Sequence, residues 1–167
     1  SSLEYPKNPF GKQLKTTSEF INSNLDSSVY YVSMGGFDTH ANQENRQKKL
    51  LKTYSESMEV FVNDLKQNDT FKNTLVITFS EFGRRLQQNA AGGTDHGAAN
   101  NVFIIGENLK TKGFYNDAPN LLNLDPNGDL IHSVDFRSIY ATVLDTWLQV
   151  DDEAILNKSF NYKTTAI

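Results

Sequence analysis

Three short runs, residues 29–34, 74–79 and 102–106, are apolar at nearly every position rather than at alternate ones. A strand of that kind needs cover on both faces, which a parallel sheet between helical layers supplies. The segments around them carry helical spacing. Phe10, Leu14, Ile21 and Leu25 predict a helix over 10–25, and Leu50, Leu51, Tyr54, Met58, Phe61, Val62 and Leu65 predict a longer one. The longer helix is expected to run from near Asn42, which can cap it, to near Gln67. Asp135 is placed to cap a last helix whose core face is Ile139, Tyr140, Val143, Leu144, Trp147 and Leu148. The expected fold class is therefore α/β, a three-layer α/β/α arrangement with a mostly parallel sheet. A single domain is expected over 1–167, with 1–9 an extended lead-in and 151–167 a weakly ordered tail. Three strands make a thin sheet, so a missing partner segment is also expected.

Composition narrows the function classes. At 167 residues and 38% hydrophobic content the chain can bury one core. No apolar run approaches the roughly 20 residues that a membrane helix needs, so no membrane span is expected. The net charge is −4, and the basic residues are scattered apart from Lys48-Lys49 and Arg84-Arg85. Nucleic acid is not an expected partner, because it calls for a concentrated basic face. The chain has no Cys, which excludes disulfides and thiolate metal sites. Any metal must be held by oxygen and imidazole. The start Ser1-Ser2-Leu3-Glu4 lacks the basic residues and apolar stretch of a signal peptide, and composition leaves the compartment unassigned.

The chemistry-bearing residues gather beside the strand-like runs. The first run ends in Gly35-Gly36-Phe37-Asp38-Thr39-His40. One residue between Asp38 and His40 lets both side chains lean to one side and meet one ion, and carboxylate with imidazole suits zinc, manganese or iron. The alternative is an Asp capping the next helix with a His beside it. The two glycines allow close approach of a ligand. Glu81 sits at the tip of the second run, as a ligand or as the partner of Arg84 or Arg85. The two arginines can grip a phosphate or sulfate, since guanidinium forms paired bonds to such oxygens; salt bridging is expected of at least one. Asp95-His96-Gly97, in a Gly-rich loop expected over 83–100, suits metal ligation or proton transfer. His132 reads as a polar loop residue. There is no P-loop, no GxGxxG and no GxSxG elbow, and neither Ser80 nor Thr94 stands in a context that demands a nucleophile.

Four ordered stretches, GGFDTHANQ, TLVITFSEFGRR, GTDHGAANNVFIIG and DFRSIYATVLDTWL, resemble a bacterial domain-of-unknown-function family, number 1501. The resemblance covers about 10–160. That family is placed in the alkaline phosphatase and sulfatase superfamily, whose members use two metal ions and a Ser, Thr or formylglycine nucleophile on phosphate or sulfate esters. The resemblance implies an alkaline-phosphatase-like sheet of which this chain is the carboxyl-terminal part, with the nucleophile and the amino-terminal half of the fold elsewhere. Asp38 and His40 resemble the superfamily's first Asp and His, although at shorter spacing. Glu81 keeps the carboxylate of the next pair, while Phe82 stands where His is usual. His96 resembles the last His. A rival alignment makes Asp95-His96 the pair and leaves Asn100 or Asn101 at the last position.

The resemblance thus implies a metal-dependent hydrolase domain for phosphate or sulfate esters, on small molecules or polysaccharides, incomplete as it stands. A divalent metal, zinc foremost, is expected at Asp38, His40 and His96. Glu81 would serve as a second-site ligand, Arg84 and Arg85 would bind the anion, and Asp95 and Asn100 are secondary candidates. The alternative is a non-catalytic binding or structural module. Export from a bacterial cell, or a periplasmic location, is implied by the resemblance alone.

Overall fold

The structure is a computed structural model that describes residues 1–160 and 167. Part of the expected tail, residues 161–166, lies outside the described residues. The chain divides into two compact units, one of residues 1–76 and 87–96 and the other of 77–86 and 97–167.

The first unit is built on two helices. Helix α1, Pro9–Asn22, starts where the Asn8 side chain accepts from the Gly11 amide and Pro9 presets the backbone. Helix α2, Gln43–Gln67, is the longest element and matches its expected span. The two pack on each other. They bury Phe10, Leu14 and Ser18 from α1, and Ser57, Met58, Phe61, Asp64 and Leu65 from α2. Phe10 stacks on Tyr54 at 6.0 Å between ring centroids. Asp64 enters this interface as a hydrogen-bonded group, accepting from Tyr5 at 2.8 Å and from Ser18 at 2.7 Å, which meets the demand of a buried carboxylate. The expected cap Asn42 does not cap: it is left-handed (φ 48) and makes no side-chain cap bond.

Among the described residues four short strands follow. They are β1 (Val76–Thr78), β2 (Gly83–Gln88), β3 (Thr94–Gly97) and β4 (Phe103–Ile105). β1 pairs with β4, and β2 pairs with β3. In the second unit helix α3, Phe136–Thr142, runs on into a π-helical turn, Val143–Trp147, and α4 spans Asp152–Leu156. Asp135 caps α3 as expected, accepting from the Arg137 amide. The residues fully buried on α3 are small ones, Ser138, Ala141 and Thr142, while the expected core face from Ile139 to Leu148 is half-buried. No helix among the described residues is long and apolar enough to cross a membrane.

The expected α/β class, a three-layer arrangement with a mostly parallel, alkaline-phosphatase-like sheet, is overturned. Among the described residues helix makes up 37%, and the strands occur only as short antiparallel pairs. Two physical reasons account for the difference. First, α1 and α2 turn their apolar stripes toward each other, so they form a helical pair rather than a layer over a sheet. Second, the apolar runs are not covered on both faces. β1 is half-buried throughout, and Phe103 on β4 is 53% exposed. Residues 29–34 join no strand ladder among the described residues; their burial alternates from exposed Val29 and Tyr31 to half-buried Tyr30 and Val32. The stretch 83–100, expected as a loop, contains the β2–β3 hairpin.

Candidate metal centre

The centre lies within the first unit and comes from two segments, 37–43 and 89–96. Gly36, at φ +101, turns the chain out of the first apolar run in a conformation that side chains resist. The next residues alternate: Asp38 is exposed, Thr39 is fully buried and His40 is exposed. A period of two thus puts Asp38 and His40 on the outward side with Thr39 as the inward anchor. In the second segment Thr94 is buried, and Asp95 and His96 are exposed.

The two segments are held in register by backbone. Asn42 and Gln43 donate their amides to the carbonyls of Ala91 and Gly92, and Ala41 bridges Gly92. Asn89 folds its own turn, accepting from the amides of Ala91 and Gly93, and donates through Nδ2 to the His40 carbonyl at 2.9 Å. Gly93 lies so close to this backbone that a Cβ there would stand 2.2 Å from the His40 carbonyl carbon. Only glycine permits that approach.

One carboxylate oxygen is the focus. Asp38 Oδ1 lies 2.8 Å from His96 Nε2 and 2.9 Å from His40 Nε2. The two imidazole centroids are 5.0 Å apart. Donor atoms of Asp38, His40 and His96 all fall within 4.8 Å of one another. On its other side His40 presents Nδ1 to Asp95 Oδ1 at 3.3 Å. The four side chains are about half exposed, at 48% for His40 and 49% for His96, so ligand and water can reach them.

The His40 ring is the telling member. Both its nitrogens face carboxylate oxygens, yet a neutral imidazole carries one N–H and one lone pair. A neutral ring would point its lone pair at a carboxylate. The conflict disappears when the ring is an imidazolium, or when the Nε2 lone pair meets a cation and Nδ1–H donates to Asp95. The second arrangement is the usual one for a metal-bound histidine, whose far nitrogen donates to a carboxylate. The distances fit as well. Ligand bonds of about 2.0–2.2 Å in a tetrahedral site set ligand atoms roughly 3.3–3.5 Å apart, so the two contacts to Asp38 need open by only about half an ångström, while the donor set as a whole spans no more than 4.8 Å.

A neutral polar layer lies under the donors, and nothing in the sequence singled it out. Gln43 Oε1 accepts from Thr39 Oγ1 at 3.1 Å and from Thr94 Oγ1 at 2.8 Å. Gln47 Nε2 donates to Thr39 Oγ1 at 3.0 Å and to the Phe37 carbonyl at 3.3 Å. The available signal was the spacing of Gln43 and Gln47, one helical turn apart at the start of α2 and directly after the Asp-Thr-His segment.

Of the residues expected from sequence, Asp38, His40 and His96 come together and Asp95 joins them through His40. Glu81, Arg84, Arg85 and Asn100 belong to the second unit. Glu81 is exposed beyond the end of β1. Arg85 takes the salt-bridging role expected of one arginine, with Nε 3.0 Å from Asp129 Oδ1. The Arg84 guanidinium lies over the Phe82 ring at 4.9 Å, a cation–π contact. Asn100 donates through Nδ2 to the Phe82 carbonyl at 2.8 Å. His132, expected as a polar loop residue, is exposed.

A family described as protein of unknown function (DUF1501) matches residues 15–157. No curated protein and no solved structure matches the chain.

Proposed function

Since this chain belongs to the DUF1501 family, whose description names no activity, we propose a function from its own side chains: a metal-dependent hydrolase of phosphate or sulfate esters. The observation that carries the metal part is Asp38 Oδ1 between two imidazole Nε2 atoms, with Asp95 behind one of them. Asp38, His40 and His96 would hold a divalent ion, and zinc suits that oxygen and imidazole set best. Once bound, such an ion supplies Lewis acidity toward a phosphoryl or sulfuryl oxygen. Asp95 holds the His40 ring in one orientation and keeps its proton on Nδ1. The half-exposed side chains leave room for an ester on the open side. The ester class comes from the resemblance to alkaline phosphatases and sulfatases.

The test is metal content followed by turnover. The protein is stripped with a chelator and refilled with zinc, its bound metal is measured, and aryl phosphate and aryl sulfate hydrolysis are assayed. We expect close to one ion per chain, lost in His96→Ala. A wild-type protein that retains no stoichiometric metal sinks the proposal.

One observation favours the second reading, a non-catalytic binding module. Phe82 stands beside Glu81 where the enzymes of the resemblance carry His, and its ring serves as a platform for Arg84. Ester hydrolysis that disappears in His96→Ala would exclude this reading.

A further inference from the structure

Gln43 stands outside the donor set yet touches both segments that carry it. We infer that Gln43 is a positioning residue that fixes the spacing between residues 38–40 and 94–96, and so the mutual placement of the His40 and His96 rings. Its functional meaning rests on the metal-centre reading above. One oxygen makes the connection: Oε1 accepts from Thr39 at 3.1 Å and from Thr94 at 2.8 Å, using its two lone pairs. Thr39 lies between Asp38 and His40 in sequence, and Thr94 directly precedes Asp95 and His96. Both hydroxyls are withdrawn from water, at 0% and 7% exposure for their residues, so neither bond is readily exchanged for a bond to solvent.

The bonds also have a direction. Thr39 Oγ1 accepts from Gln47 Nε2 at 3.0 Å, which leaves its proton to donate. Gln43 Oε1 at 3.1 Å is a nearer acceptor for it than the Phe37 carbonyl at 3.4 Å. The chain therefore runs from Gln47 through Thr39 to Gln43, and Thr94 enters from the other side. Gln43 and Gln47 stand on the first turns of α2, so a regular helix rather than a loop sets the spacing, which is what a preorganised site requires.

The test uses metal-free protein with 15N-labelled histidine, read by long-range proton–nitrogen spectra of the rings. We expect Gln43→Leu to move the ring resonances of both His40 and His96 while circular dichroism remains that of the folded protein. Gln43→Glu, which keeps an acceptor oxygen, should return both toward wild type. Zinc affinity, read by chelator competition, should fall about 10–100-fold in Gln43→Leu and recover in Gln43→Glu. Rings that keep their positions in Gln43→Leu, or a Gln43→Glu variant that restores neither, overturn the inference. If Gln43→Leu does not fold, Thr94→Val removes one of the two donors alone. It should move the His96 ring, and an unmoved ring counts against the inference. The spectra need no metal, so a wild-type protein that takes up no zinc defeats the proposed function without deciding the role of Gln43.

Discussion

Asp95 decides what His40 can do, because it faces the ring nitrogen that points away from Asp38. Removing it leaves His40 free to rotate and to change tautomer. We expect Asp95→Ala to weaken zinc binding by about 10–100-fold, measured by chelator competition, whereas His96→Ala should abolish stoichiometric uptake. Equal losses in the two variants would mean that Asp95 is itself a ligand. Gly93 is the other sensitive residue. A Cβ placed 2.2 Å from the His40 carbonyl carbon cannot be accommodated without moving backbone. Gly93→Ala should therefore lower the thermal midpoint and weaken zinc binding together, and a variant that keeps both unchanged contradicts the close approach. At this scale the donors were legible and their supports were not. Asp38, His40 and His96 announce themselves by charge and imidazole beside glycine. Thr39, Gln43, Gln47 and Asn89 are neutral, and their value comes from what they touch, which spacing in the chain does not reveal.

The helices were legible because their apolar period is a property of the segment alone. α2 matches its expected span, and Met58, Phe61 and Leu65 are buried as their spacing implies. Leu51, assigned to the same face, is 53% exposed; it lies in the first half of α2, whereas the buried residues lie farther on, from Ser57 to Leu65. Leu65, fully buried, should lose about 2–5 kcal/mol on Leu65→Ala, read from urea unfolding. A loss below about 1 kcal/mol would argue against a packed α1–α2 interface. Strands were less legible, because a strand is defined by its partner. Residues 29–34 have the composition of a strand and remain outside any ladder among the described residues. β2, with its polar Arg84, Arg85, Gln87 and Gln88, lacks the composition and pairs nonetheless, because backbone groups rather than side chains form the pairing.

For the molecule as a whole, the buried Asp64 cluster sets how the first unit answers to pH. Burial pushes the Asp64 carboxyl up, but the hydrogen bonds from Ser18 and Tyr5 outweigh it, and the carboxyl sits below its usual range. Its contribution to stability is therefore full above the unfolded value of about 3.9 and is lost as pH falls through the folded value. Tyr5 is pushed up by burial first and by its bond to Asp64 as well. Its contribution is full below about pH 10 and is lost as pH rises through the folded value. The urea midpoint should fall at both extremes, and Asp64→Asn should flatten the acid limb. An acid limb identical in Asp64→Asn would show that other carboxylates control it. The chain-wide fold class was the least legible feature, because three apolar runs specify that strands exist and not that they share a sheet. The turn at 89–93 has a consequence for how such a chain can vary. Its Ala91 and Gly92 carbonyls receive the leading amides of α2, where Asn42 supplies no side-chain cap. A surface turn would ordinarily absorb insertions freely, but this one closes the end of the longest helix. Length changes should accumulate in the irregular stretch 107–134 and be scarce at 89–93, where one added residue would unseat the helix start and the two imidazoles in a single step.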